Sequence, residues 1–304
     1  MTKSGFTLIE VLVVLAILGF FIAMMAKVFT KQDDQRRFDE TRVMMKEIKK
    51  AILGQEGAYA NGQRQFAGYV ADMGGLPDLV DENGNVDPNG QPKGLWTRDL
   101  NGDGDTVDQV DISDSVIWQY KVTSKTWMGW RGPYIEAPPL RIGETSGQEK
   151  LRDGWGNPFI FGTTTPGDLI VSSPGANGVI NAADTGFNED ITMTIKKTEY
   201  MAPVAGRVID YSAPSNVTVI IYVPINGTET PFVIPTPPAT DGIDAGGYFR
   251  FEQDNTGNAN GKYEGDIPVG LRSIVIIDSG YGSSTQRVFT VEPTGNWLGD
   301  IEIE

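Results

Sequence analysis

The sequence predicts an α+β protein: a long N-terminal helix packed on a small antiparallel β-meander, followed by a C-terminal all-β sandwich. Three observations lead there. Residues 6–26 form an apolar run whose only charged residue is Glu10, and residues 27–53 contain no Pro or Gly. Residues 127–195 alternate short β-type runs with Gly- and Asn-rich turns. Residues 205–304 are a string of short β-type runs divided by Gly, Pro, Asn and Asp, which reads as an antiparallel sandwich of seven or so strands.

The first stretch reads MTKSGFTLIEVLVVLAILGFFIAMMAK. A five-residue polar leader carries one charge, Lys3, and ends at Gly5. The apolar run from Phe6 to Ala26 would make a helix of ~31 Å, enough to cross a bilayer. An ordinary secretory signal has its small residue after the apolar core; here Gly5 precedes it. Glu10 lies inside the run, where an unpaired carboxylate costs on the order of a few kcal/mol.

The unbroken string Gly5, Phe6, Thr7, Leu8, Ile9, Glu10 resembles the class III leader of type IV pilins and type II secretion pseudopilins. The resemblance implies that a prepilin peptidase cuts after Gly5 and methylates the new amino group of Phe6. It also implies an assembly role for Glu10, paired with the N-terminus of a neighbouring subunit. Charge pairing in a low-dielectric setting reduces the desolvation cost of both groups.

Beyond Ala26 the helix is expected to continue for roughly 50 residues in all, ~75 Å, ending at Gly54 and Gly57. Phe38, Thr41, Met45, Ile48 and Ile52 follow three-four spacing and share one stripe. Asp33 and Arg37 are placed to pair at i, i+4. The second half can therefore pack on a globular head while the first half protrudes.

The chain has 304 residues and a net charge of −15. Residues 1–57 hold nine basic and seven acidic side chains, so the remainder carries −17. An acidic head argues against nucleic-acid binding, which needs Lys and Arg facing phosphates. With no Cys and no His, disulfides, thiolate or imidazole zinc sites and Ser-His or Cys-His pairs are excluded within the chain.

Residues 58–126 are rich in turn chemistry, with a strand expected over 116–122. The following blocks are WMGWRGPYIE, LRDGWGNPFIFG, DLIVSSPGANG and TGFNEDITM. They are similar to the body of the major pseudopilin of type II secretion, through Gly132-Pro133-Tyr134, Asp153, Trp155-Gly156-Asn157-Pro158-Phe159, Ser173, Gly175-Ala176-Asn177-Gly178 and Asp190-Ile191. Gly154 stands where that family has Pro, Phe159 where it has Tyr, and Asn177 and Asn188 where it has Asp. The expected organisation is a leader (1–5), a polymerisation and transmembrane helix (6–57), a pseudopilin-like head with an insertion (58–200) and a C-terminal β-sandwich (201–304). Tyr200 to Val204 is the expected linker. The last zone resembles carboxypeptidase regulatory-like or transthyretin-like modules through Gly206-Arg207-Val208, Gly247 to Phe251 and Ile267 to Gly270.

Calcium is the expected cofactor. Asp99, Asn101 and Asp103 followed by Gly104 reproduce the first half of an EF-hand loop, and Asp105 and Asp108 could add oxygens. Val110 stands at position twelve; Asp111, one further on, could substitute in an irregular loop. The pseudopilin resemblance implies a second calcium in the closing loop, with Asp190, Asn188, and Ser172 or Ser173 as ligands, a backbone carbonyl such as that of Leu169, and Asp184 and Glu189 nearby. Asp81, Asn83, Asn85 and Asp87 read as a loop. Asn216 and Asn226 fit the N-glycosylation pattern. Trp127, Trp130, Trp155, Tyr248 and Phe251 read as core.

The expected function is a non-enzymatic structural subunit of a type IV pilus or type II secretion pseudopilus, a helical homo-oligomer. The resemblance implies minor pilins, prepilin peptidase, an inner-membrane platform protein and an assembly ATPase as partners. It also implies an inner-membrane location before assembly and an extracytoplasmic filament afterwards. The alternatives are a minor or tip pilin acting as an adhesin through the sandwich, and a membrane-anchored enzyme built on paired carboxylates.

Overall fold

The computed structural model describes residues 8–55, 59–60, 63–64, 68–165, 167–181, 183–234, 243–251, 262–263 and 265–303, with the backbone alone for residues 23–30, 59–60, 63–64 and 262–263. Helix α1 spans Leu8–Leu53, 46 residues, a length of ~69 Å. It stops at Gly54, whose φ of 85° suits a residue without Cβ and whose N–H donates to the Lys50 carbonyl at 2.8 Å. Gly57, the other expected stop, lies outside the described residues.

The two halves of α1 differ as their sequences do. Side chains from Leu8 to Ile22 are exposed. In the second half Thr41, Met45, Ile48, Ala51 and Ile52 are buried on one stripe. Phe38 is half-buried, with its ring centroid 6.3 Å from that of Phe187. Asp33 accepts hydrogen bonds from both Arg36 and Arg37 at 2.9 Å.

The first core gathers the α1 stripe with α2 (Tyr69–Met73) and a three-stranded sheet. A short pairing of β1 (Tyr59–Ala60) with β2 (Gln63–Arg64) precedes α2. A hairpin of β3 (Gln119–Lys121) and β4 (Thr126–Met128) follows. The strand expected over 116–122 is shorter than predicted, because Asp114–Val116 forms a 3-10 turn capped by Ser113. The meander then runs as β5 (Ile160–Thr163), β6 (Leu169–Ser173) and β7 (Ile191–Ile195), antiparallel with β6 in the middle. Phe159, Phe161, Leu169, Val171 and Ile195 are buried in this core.

Helix α3 (Lys197–Tyr200) leads straight into β8 (Met201–Ala202). The residues expected to act as a linker are instead built in. Tyr200 is buried in the first core, and β8 pairs with β14 (Ile267–Pro268). The remaining strands are β9 (Val204–Ile209), β10 (Val217–Ile225), β11 (Thr228–Ile234), β12 (Tyr248–Phe251), β13 (Lys262–Tyr263), β15 (Gly270–Asp278), β16 (Ser283–Val291) and β17 (Asn296–Glu302). They form two four-stranded sheets, β11-β10-β15-β16 and β13-β12-β9-β17. Both sheets contribute to a second core, with Val217, Val219, Ile221, Val223, Ile274 and Ile276 from one and Val204, Val208, Phe249, Phe251 and Ile301 from the other.

An all-antiparallel arrangement was expected here. The structure corrects this, because β17 runs parallel to β9 and β13 parallel to β12. A register shift between Trp297 and Asp300 interrupts the β9–β17 pairing.

The two cores meet along α2. Gly74, at φ 89°, lies so close to Pro224 that a Cβ would come within 1.7 Å of the Pro224 carbonyl oxygen. The Gly227 N–H donates to the Met73 carbonyl at 3.0 Å. Arg272 on β15 donates to the Ala71 carbonyl at 3.1 Å. The β3–β4 turn adds a bond from the Ser124 N–H to Glu229 at 2.8 Å.

Candidate functional site

Three regions carry the predicted site residues. The first is the exposed half of α1. Glu10 sits in its first turn on the surface, among Leu8, Ile9, Val11, Leu12, Val13 and Val14, all about half-exposed or more. Gly5 and Phe6 lie outside the described residues. In the single chain these apolar side chains stay exposed, so removing them from water would contribute ~25 cal/mol per Å² of apolar area covered. Among the described residues no helix is long and apolar enough to cross a membrane.

The junction between α1 and the head depends on two buried polar residues. Thr41 sits in the apolar stripe, fully buried. Its hydroxyl donates back to the Arg37 carbonyl at 2.8 Å and accepts the Gly154 N–H at 2.9 Å. Asp153, also buried, accepts from the Trp155 and Asn157 N–H groups and from the Ser173 hydroxyl at 2.6 Å. Thus Ser173, one of the two serines considered as calcium ligands, orients Asp153. Gly154 is where the resemblance led to an expected Pro. A Cβ there would lie 2.1 Å from the Arg37 carbonyl oxygen, so the turn can lie against the helix only as glycine.

The second region is the acidic loop. Asp99, Asp103 and Asp111 each bring an oxygen within 4.8 Å of the others. Asp99 is held by N–H groups of Gly102 at 2.5 Å and Gly104 at 2.9 Å. Asp111 accepts the Leu100 N–H at 2.6 Å with one oxygen, while its Oδ2 is buried without a hydrogen-bond partner. Burial pushes the Asp111 carboxyl up; the Leu100 N–H opposes this, and neighbouring Asp108, Asp99 and Asp103 add to the rise. Such a cluster of oxygens is hard-cation chemistry. The other expected ligands lie outside the trio. Asp105 accepts the Val107 N–H, Asp108 accepts from Val110 and from the Asn101 amide, and that amide also reaches Asp103.

The closing loop is stitched differently. Asn177 and Asn181 both donate side-chain amides to Asp184, at 2.5 and 3.2 Å. The Asn181 N–H donates to Asp190, whose Oδ1 is buried without a partner. Ser172 faces Thr192 at 3.5 Å, and Asn188 closes a 3-10 turn. Where the resemblance leads one to expect a carboxylate at 177, an amide here bonds directly to a carboxylate.

Residues 1–26 match a family described as the prokaryotic N-terminal methylation motif. No curated protein matches the chain. The motif suggests a type IV pilin-like protein processed by a prepilin peptidase, and in general it accompanies assembly into filaments. It implies anchoring in the inner membrane by the N-terminal helix before processing.

Sequence reasoning missed a fourth region, at the seam. Asp72 on α2 is buried and takes both Arg131 Nε (3.0 Å) and Nη2 (3.1 Å), plus the Tyr134 hydroxyl at 3.0 Å. Burial pushes its carboxyl up to about 6, outweighing Arg131, Tyr134 and Arg272. Arg272 is fully buried and donates to four carbonyls, those of Pro268, Val269, Leu271 and Ala71. A sequence signal existed for it: Arg272 has the same strand parity as Ile274 and Ile276, so it must point inward with them.

Proposed function

We propose that the chain is a structural subunit of a type IV pilus or type II secretion pseudopilus, polymerised through α1. The observation that carries this is the division of one continuous helix into an exposed apolar half, bearing Glu10, and a half locked into the head. An apolar rod of that kind needs either lipid or neighbouring rods. Stacking copies buries it, and Glu10 then sets register by pairing with the α-amine of a neighbour's Phe6. Minor pilins, the platform protein and the assembly ATPase are the further partners of this reading. Two measurements test it. Mass spectrometry of the purified protein should give a chain beginning at N-methylated Phe6. Glu10→Ala should stop or slow filament growth while leaving the head folded; normal filaments from that variant would overturn the reading.

We also propose that calcium binds at Asp99, Asp103 and Asp111, on the strength of the unpartnered Asp111 oxygen within the cluster. A bound ion stabilises only the folded loop, by about 2.7 kcal/mol at a hundredfold excess over Kd. Calcium should raise the melting temperature of the wild type and leave Asp111→Asn unchanged. No shift in the wild type would remove the site.

A further inference from the structure

We propose that the outer face of the β12–β9–β17 sheet binds neutral saccharides, with the Tyr248 and Trp297 rings as the platform for the apolar face of a pyranose. The face is built by strand alternation. Phe249 and Phe251 on β12 and Val204 and Val208 on β9 point into the second core, so Tyr248, Arg250, Ala205 and Arg207 lie on the opposite side. The irregularity in β17 puts both Trp297 and Asp300 on that side, although strict alternation would separate them.

Register then brings the groups together. Tyr248 pairs with Arg207, and Arg207 with Asp300; Trp297 pairs with Ala205. The strand between the two aromatic residues carries only a methyl group at Ala205, so the rings can meet across it, 6.2 Å between centroids and tilted by 33°. Tyr248 is 45% exposed and Trp297 60%. The rings are nevertheless held. Asp244 accepts the N–H groups of Gly246 and Tyr248, at 2.8 and 2.9 Å. The Arg207 guanidinium lies 5.3 Å from the Tyr248 ring centre, and its Nε donates to the Gly246 carbonyl at 2.9 Å. Arg207 Nη1 is 4.0 Å from Asp300 Oδ2.

The chemistry selects the ligand. Exposed rings have electron-rich faces that attract the weakly positive C–H face of a sugar. A donor (Arg207) and an acceptor (Asp300) at the rim match adjacent hydroxyls. The charges balance, Arg207 and Arg250 against Asp300 and Glu302, so the face does not draw in nucleic acid or anionic lipid. Two half-exposed rings also fall well short of the ~800 Å² per partner of a stable protein interface. Rings fixed before binding lose little entropy on contact. The aromatic cluster on the β3–β4 hairpin is less suited. Trp118 is half-buried, with Trp127 stacked on it at 6.1 Å and the Arg131 guanidinium 4.5 Å from its ring centre, so it presents less open ring surface than Tyr248 or Trp297.

The test uses the full chain in a non-glycosidic detergent, applied to an array of neutral hexose oligosaccharides, with calorimetry on the sugar best retained. Trp297→Ala and Tyr248→Ala should each weaken binding roughly tenfold or more, the scale of one lost ring contact. Tyr248→Phe keeps the ring and should retain most of the affinity, and Trp127→Ala should bind like wild type. Since these side chains lie outside the core, melting temperatures should be unchanged. The proposal is overturned if no glycan is retained, or if Trp297→Ala binds as tightly as wild type. It is equally overturned if Trp297→Ala changes self-association with no sugar bound, which would make the face a contact between copies. The proposal does not rest on filament assembly, which the Phe6 and Glu10 measurements read separately.

Discussion

Replacing Arg272 with Met should loosen the seam between the two cores. The guanidinium is fully buried and gives its N–H groups to Pro268 at 3.0 Å, Val269 at 2.6 Å, Leu271 at 2.8 Å and Ala71 at 3.1 Å. A hydrogen bond with a charged partner contributes about 1.5–3 kcal/mol net. Against that stands the desolvation of the cation, several kcal/mol, which the variant no longer bears. Methionine fills part of the volume but donates nothing, so buried carbonyls lose their donors and Asp72 loses a neighbouring cation. Removing one member of a buried charged group costs about 3–5 kcal/mol. At 2–4 °C per kcal/mol for domains of roughly this size, the melting temperature should fall on the order of 10 °C. The loss should be localised, because Ala71 belongs to α2 and the other three acceptors to the β14–β15 segment, whose Val269 packs in the first core and whose Ile267 and Ile274 pack in the second. Hydrogen exchange should quicken first at Gly227, whose N–H bonds to the Met73 carbonyl across the seam. Arg272→Lys, which keeps the charge but not the fork, should fall between the two. If Arg272→Met melts within about 2 °C of wild type with Gly227 still protected, Arg272 does not hold the seam.

Two further outcomes follow from the same accounting. Gly154→Ala forces a carbon onto the Arg37 carbonyl of α1 and should destabilise the head by about 1–3 kcal/mol in chemical denaturation; a neutral result would mean that the turn can swing off the helix at no cost. Asp72, with its carboxyl pushed up to about 6, binds a proton more readily folded than unfolded. Its contribution is complete below the ordinary carboxylate range, near 3.9, and is lost as the pH rises through 6, ~3 kcal/mol over that window. Wild type should therefore gain that much on Asp72→Asn between pH 7 and pH 4, and a constant gap would place the Asp72 carboxyl in the usual range.

What could be read in advance depended on whether a signal was local. The α1 stripe was legible because burial on a helix face imposes a 3.6-residue period, and Thr41, Met45, Ile48 and Ile52 keep it. The inward positions of β10 were legible because Val217, Val219, Ile221 and Val223 alternate. Strand order was not. The parallel partnership of β17 with β9 joins segments almost a hundred residues apart and leaves no mark on either one. In the acidic loop the spacing of oxygens was legible but not which of them converge: Asp105 and Asp108 turn to nearby N–H groups, while Asp111, the substitute that the sequence offered one place beyond position twelve, lies beside Asp99 and Asp103. Exposed Tyr248 and Trp297 were misread or passed over because an aromatic in a strand is core only on one of its two faces.

The same chain shows how an acidic protein without disulfides can restrain long loops. Two of its cations are buried among carbonyl oxygens. Lys93 donates to the carbonyls of Asp81 and Leu100, both at 2.6 Å, tying one acidic turn to the start of the other. Arg272 does the same at the seam. Each acts as a fixed cation inside a ring of backbone acceptors, the role a metal ion would otherwise fill, and neither can be removed by a chelator. Calcium at Asp99, Asp103 and Asp111 would add to a loop that Lys93 already anchors at Leu100. Chelation should therefore loosen residues 101–111 while leaving the turn at 81–91 protected from exchange, whereas Lys93→Met should release both.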